Sequence, residues 1–159
     1  MIHIQAAARL RTFIKAGRGT GEGAGALFYA EDTGRFLILE RSDEGDAAGT
    51  WAGLGGGRDN KEPLDMTVRR EAFEEANFPM DAPCDLHYID NITYDDGFTF
   101  HNYLALTPTE FEPKLNEEHK SHRWAKWDQF PKNMHPGMME VLNSKRGRLV
   151  LRKHCDVPF

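Results

Sequence analysis

Two short apolar runs, Gly25-Ala-Leu-Phe-Tyr-Ala30 and Arg35-Phe-Leu-Ile-Leu-Glu-Arg41, are divided by the polar stretch Glu31-Asp-Thr-Gly34. Runs of that length around a glycine-bearing break predict two strands joined by a turn. Trp51 to Gly55 is a short extended piece that leads into further glycines. The period then changes. Leu64, Val68, Ala72 and Ala76 recur every four residues, which predicts a helix over Leu64–Ala76 with a core-facing stripe. Pro63 suits its first turn, where a missing N–H is harmless. Met66 and Phe73 mark a second flank, expected to pack in the core as well. Beyond Pro79 and Pro83, Leu86 to Tyr94 and Phe98 to Leu106 alternate as strands around the hairpin turn Asp95-Asp96-Gly97. Arg123 to Trp127 reads as a short strand and Pro136 to Asn143 as a closing helix. Neither repeat nor linker interrupts the pattern, so residues 1–159 read as one domain.

The predicted helix carries chemistry on its polar side. Glu71, Glu74 and Glu75 stand at i, i+3 and i+4, so their side chains converge within an arc of about 100°. Like charges at that spacing cost an isolated helix about 0.2–0.5 kcal/mol per pair. A Glu-rich segment is often a solvated face stitched by cations, but the nearby Arg69 and Arg70 are not centred on this arc. A hard divalent cation matches the cluster better, because it takes several carboxylate oxygens and keeps positions open for water and phosphate. Gly53, Gly55, Gly56 and Gly57 precede the helix and allow close approach of backbone to a ligand.

Taken together, Gly56, Glu62, Arg70, Glu71, Ala72, Glu74, Glu75 and Phe78 resemble the Nudix box, Gly-x5-Glu-x7-Arg-Glu-U-x-Glu-Glu-x-Gly-U, over residues 56–78. Asn77 departs from the pattern where a second glycine is usual. Asparagine is the next most tolerant residue of a left-handed helix cap, so the departure is conservative. The resemblance implies an α/β protein with the Nudix fold, an α/β/α sandwich holding a mixed β-sheet between helices. It implies a metal-dependent hydrolase that cuts a nucleoside diphosphate linked to X into a nucleoside monophosphate and phosphorylated X. Mg²⁺ or Mn²⁺ would be held by the carbonyl of Gly56 and by Glu71, Glu74 and Glu75. Glu62 and Arg70 would form an ion pair that braces loop against helix. The general base differs within the family; Glu74 is the first candidate and Glu118 the second, with Glu71 and Arg70 completing the catalytic set.

Glu118 lies in the run Leu115-Asn-Glu-Glu-His-Lys-Ser-His-Arg-Trp124. Many Nudix proteins carry a glutamate just ahead of a tryptophan-bearing strand, on a loop that reaches the metals, so Glu118 is also a candidate ligand. Glu117 reads as solvated, and His119 and His122 as exposed loop histidines. For the substrate, Arg41 at a strand end facing the box is a candidate phosphate contact. Tyr94 lies where dinucleoside polyphosphate hydrolases of the family place a tyrosine. Phe98, Phe100, Tyr103, Trp124 and Trp127 are able to stack on a base, although most are expected in the core.

The SQPWPFPxS run of the NADH-cleaving branch is absent. The resemblance leaves a (d)NTP, a dinucleoside polyphosphate or a nucleotide sugar as substrate. One alternative is a Nudix domain that senses a nucleotide without cleaving it, although such domains usually lose box carboxylates. Another is an RNA 5′-pyrophosphohydrolase. A net charge of −5 argues against an extended nucleic-acid surface, and the basic residues Lys145, Arg146, Arg148, Arg152 and Lys153 read as a tail balancing an acidic body. Cys84 and Cys155 lack metal-site spacing and read as free thiols. No segment approaches the roughly 20 apolar residues of a membrane span, so a cytoplasmic protein is expected. Many relatives of this size form homodimers.

Overall fold

In the computed structural model, residues 21–44 and 47–159 are described. The strand β1 (Glu22–Ala30) is buried along almost its whole length and organises the sheet. On one side it runs parallel to β6 (Thr99–Thr107), in register from Glu22 opposite Thr99 to Ala30 opposite Thr107. On its other side it is shared. Gly23–Ala26 pair with β4 (Leu54–Gly57), while Phe28–Ala30 pair with β2 (Arg35–Arg41), both antiparallel. The sheet therefore forks at the middle of β1. Further antiparallel pairs add β5 (Asp85–Thr93) to β6, and both β3 (Trp51–Ala52) and β7 (His119–Ala125) to β2.

Backbone proximity at the fork depends on glycine. A Cβ on Gly25 would stand 2.5 Å from the carbonyl oxygen of Leu54, and one on Gly55 would stand 2.6 Å from the Cα of Gly25. Neither position accepts a side chain without moving a strand.

Alternation along β1 separates two cores. Ala24, Ala26 and Phe28 face α1 (Leu64–Ala76) and pack with its Val68, Ala72 and Ala76. Leu27 and Tyr29 face the opposite layer, where α2 (Pro136–Asn143) and α3 (Lys145–His154) bring in Val141, Leu142 and Leu151. The result is the expected α/β/α sandwich around a mixed sheet. The helix α1 has the expected bounds, and it ends on Asn77 in the left-handed conformation at φ 55°. The turn before β2 contains Gly34 at φ 69°, and that before β6 contains Gly97 at φ 86°.

Four expectations are corrected. Met66 and Phe73 are 40% and 48% exposed, because α1 presents one stripe to the sheet and no described layer covers its flank. The strand expected at Arg123–Trp127 begins at His119 and ends at Ala125, where pairing with β2 holds it; Trp127 opens a 3₁₀ turn instead. The piece Trp51–Gly55 is divided between β3 and β4, with Gly53 between them. The basic tail forms α3: the side chain of Ser144 accepts the N–H of Gly147 at 3.0 Å, and Gly147 and Leu151 are buried.

Candidate functional site

The loop between β4 and α1 is fastened to the helix by one arginine. Arg70 donates to Oε2 and Oε1 of Glu62 at 3.0 and 3.1 Å and to the carbonyl of Gly57 at 2.7 Å. It also stands 3.3 Å from Asp59. Thr67 adds a hydroxyl hydrogen bond to Glu62 at 2.7 Å. Burial by itself would raise the Glu62 carboxyl, but the bonds from Arg70 and Thr67 outweigh it and hold the group below its usual range. The Glu62–Arg70 pair is thus present and many-stranded. Arg70 also enters the acidic arc, contrary to expectation, contacting Glu71 at 2.9 Å and Glu74 at 3.2 Å. Glu71 is its neighbour in sequence, and Glu74 lies one turn on at i+4, where side chains stand side by side on a helix.

Glu71 and Glu75 are each 3% exposed, an unusual position for two carboxylates. Glu71 lies against the backbone of Gly56, where a Cβ would stand 2.5 and 2.6 Å from its two carboxylate oxygens. Burial raises the Glu71 carboxyl above its usual range, Arg70 pulls it down, and the neighbouring charge of Glu74 pushes it up again. Glu75 is raised well above its usual range, first by burial and then by the charges of Glu71 and Glu118. The N–H of Gly55, which donates to Oε2 of Glu75 at 3.4 Å, and the charge of Arg41 offset only part of that.

A cavity at the fork of the sheet is lined by Arg41, Glu75, Glu118, His119 and His135, together with Gly53–Gly55. Burial lowers the Arg41 guanidinium to about 10, while Glu75 and Glu118 support its charge. His119 is only 7% exposed rather than a solvated loop residue, because it opens β7 opposite Arg41. Its Nε2 lies 4.0 Å from Oε2 of Glu75, and burial, then Arg41, lowers its pKa to about 4. His122 is half-buried, 3.6 Å from Glu112.

Of the residues singled out from the sequence, Arg41, Glu75 and Glu118 meet at this cavity, and Phe100 and Tyr103 line it too. Gly56, Glu71, Glu74 and Arg70 form the adjoining cluster on α1 and β4, with the Glu74 side chain 31% exposed. Tyr94 is elsewhere. It is buried in the core under α2 and α3, with its ring 6.1 Å from Phe98, and it does not line the cavity. Trp124 is a packing residue whose Nε1 donates to the carbonyl of Phe111. His135 was not singled out. It is fully buried and caps α2, its Nδ1 accepting the N–H of Gly137 at 3.1 Å. The sequence signal was its place before Pro136, at a cap where Ser, Thr, Asp or Asn is usual.

Among the described residues, no three acidic, histidine or cysteine side chains already converge as a metal-binding group. The donor chemistry nevertheless fits a hard divalent cation. Two buried carboxylates, each raised by burial and by neighbouring negative charge, are stabilised by added positive charge. Carboxylate oxygens suit Mg²⁺ or Mn²⁺ rather than a soft metal. Recruiting Glu74 would require it to leave Arg70.

The fold has well-matched solved counterparts. A Nudix hydrolase from M. smegmatis, RenU, is 22% identical with a TM-score of 0.67, over 85% of this chain and 86% of that one. A C. elegans Ap4A hydrolase binary complex is 23% identical with a TM-score of 0.59, over 82% and 93% of the two chains. The NUDIX domain of Shewanella oneidensis NrtR, complexed with ADP ribose, is 18% identical with a TM-score of 0.62, over 80% and 87%. Identities this low establish likeness of fold alone. No curated protein matches the chain. The family model for the NUDIX domain matches residues 19–144, most of the chain and the whole of the cluster just described, and the chain therefore belongs to the NUDIX family.

Proposed function

We propose that this protein is a pyrophosphohydrolase that cleaves a nucleoside diphosphate linked to X, giving a nucleoside monophosphate and phosphorylated X. The observation that carries this reading is the buried pair Glu71 and Glu75, with the charge of Glu118 acting on Glu75 at a cavity that Arg41 also lines. Burying two carboxylates that burial and neighbouring negative charge both push upward is unfavourable for the fold alone, and it becomes useful when a cation and a phosphate chain are bound.

Glu71, Glu74, Glu75, Glu118 and the carbonyl of Gly56 are the groups that would hold Mg²⁺ or Mn²⁺. The bound cation would lower the pKa of water and neutralise charge on the pyrophosphate. The remaining tasks fall to the chain. Arg41, whose charge Glu75 and Glu118 support, would bind a phosphate oxygen. Arg70 positions Glu71 and Glu74 while tying them to the Glu62 loop. Glu74, the most exposed of the three box carboxylates, is the first candidate to accept a proton from water, and Glu118 is the second.

The substrate classes in play are (d)NTPs, dinucleoside polyphosphates and nucleotide sugars. The likeness to an Ap4A hydrolase keeps dinucleotides among them, but Tyr94 gives them no support, because it is buried away from the cavity. The test is to incubate the protein with Mg²⁺ and dGTP, diadenosine polyphosphates, ADP-ribose, GDP-mannose or UDP-glucose and to separate the products. Release of a nucleoside monophosphate from one class is the expected result. Binding without turnover across the panel would refute hydrolysis and leave a sensor.

A further inference from the structure

The helix that carries the box carboxylates ends on the loop that carries Glu118. At the C-terminus of α1 the last carbonyls have no partner within the helix and must find one outside it. The N–H groups of Phe78 and Asn77 take those of Ala72 and Phe73. The next three go to the loop between β6 and β7. Nδ2 of Asn116 donates to the carbonyl of Glu74 at 3.3 Å, the backbone N–H of Asn116 to that of Glu75 at 3.3 Å, and the N–H of Lys114 to that of Ala76 at 3.0 Å.

Asn116 holds the loop on its other side as well. Its Oδ1 accepts the N–H of Glu118 at 3.0 Å, and its carbonyl accepts the N–H of His119 at 3.3 Å. The carbonyl of Glu118 accepts the N–H of Ser42, just beyond β2, at 3.0 Å. The two ends of the Asn116 amide are not exchangeable, since a flipped group would set Nδ2 against the N–H of Glu118 and Oδ1 against the carbonyl of Glu74. One side chain therefore spans from Glu74 to Glu118. Those residues are the two candidates for the base, and the charge of Glu118 is felt at Glu75.

We propose that Asn116 is a positioning residue for the reaction: it braces the backbone of Glu118 against the last turn of α1, so that the Glu118 carboxylate keeps a fixed place relative to Glu74 and Glu75. This rests on the pyrophosphohydrolase reading, in which those carboxylates act together on cation and water. Asn116 touches neither in this account, because both ends of its amide are committed to backbone. Groups that orient the ligands of a metal are worth about 10–100-fold in affinity or activity, and a misplacement of about 1 Å costs on the order of 10²-fold in rate.

The test separates this role from that of a simple helix cap. Asn116→Ala removes both side-chain bonds and leaves the backbone bond to Glu75 in place, so α1 keeps part of its cap. The change is made in the wild type and in Glu118→Gln, and the proteins are compared by kcat and KM at saturating Mg²⁺ and by the Kd of Mg²⁺ in titration calorimetry. In the wild type we expect Asn116→Ala to lower kcat about tenfold or more, with the substrate KM within about twofold, and to raise the Kd of Mg²⁺ about tenfold. In Glu118→Gln the same change should move each value by less than about twofold, because the group it positions is already gone. If Asn116→Ala does not fold, Asn116→Ser, whose side chain is too short to reach the Glu74 carbonyl, supplies the same comparison. Losses of equal size in the two backgrounds, or no loss of kcat or of Mg²⁺ affinity in the wild type, would overturn the inference. A wild type that binds Mg²⁺ but turns over no substrate defeats the hydrolase reading, and the Kd values still decide this one. A wild type that binds neither Mg²⁺ nor Mn²⁺ overturns both.

Discussion

Replacing Arg70 by glutamine removes one charge from the centre of the acidic network and keeps a polar side chain in its place. Arg70 serves five acceptor residues, Glu62, Glu71, Glu74, Asp59 and Gly57. Their rehydration differs. The side chains of Glu62 and Glu74 are 18% and 31% exposed and recover water when the arginine leaves, so their pairs add little. Glu71, 3% exposed, cannot. Stranding a buried charge by removing its partner costs about 3–5 kcal/mol, and because Arg70 is itself 16% exposed the lower end, about 3 kcal/mol, applies.

That cost depends on pH with a definite sign. Burial already raises the Glu71 carboxyl in the native protein, and Arg70 is the leading influence pulling it back. Without Arg70 the native pKa rises further above the unfolded value of about 4.3. Between those two values the native state binds more protons than the unfolded state, so stability falls as pH rises through the window. The deficit of Arg70→Gln relative to wild type should therefore be smaller at pH 5 than at pH 8. Urea denaturation of both proteins at the two pH values, without added metal, measures it. Equal deficits at the two pH values, or a deficit under about 1 kcal/mol at pH 8, would refute the electrostatic account of Arg70.

Gly56→Ala places a methyl group against the Glu71 carboxylate. It should cost about 1–3 kcal/mol by overpacking and reduce kcat more than tenfold, measured by thermal melts and initial rates. Glu75→Gln should leave a folded protein by circular dichroism with turnover reduced by orders of magnitude, and Glu118→Gln should cost less unless Glu118 is the base. Mg²⁺ at about 100 times its Kd should stabilise the wild type by about 2.7 kcal/mol, and Glu75→Gln should lose most of that shift in a calorimetric scan. Tyr94→Phe removes a buried hydroxyl with no hydrogen-bond partner among the described residues. It should leave stability equal or higher and the ratio of dinucleotide to mononucleotide kcat/KM unchanged; a selective loss on dinucleotides would return Tyr94 to the substrate site.

Much of the site was written in local spacing. Glu71, Glu74 and Glu75 share a helix face because 3.6 residues make a turn, and Leu64, Val68, Ala72 and Ala76 set which side of α1 meets the sheet. A helix period, a left-handed cap at Asn77 and a glycine turn at Gly97 are decided within a few residues, so the sequence determines them by itself. Met66 and Phe73 show the limit of that reasoning, since an apolar residue is buried only where another layer arrives to cover it.

Tertiary structure decided the rest. The fork in β1 that opens the cavity depends on two partner strands sharing one edge, β2 taking Phe28–Ala30 and β4 taking Gly23–Ala26. It decided that His119 is buried beside Glu75, that Tyr94 lies under α2 and α3, and that His135, remote from the box in sequence, lines the same cavity as Arg41. Periodicity fixes which way a side chain leaves its own strand or helix; what it then meets depends on long-range pairing, and with it the burial and neighbouring charge that set the pKa of Glu75.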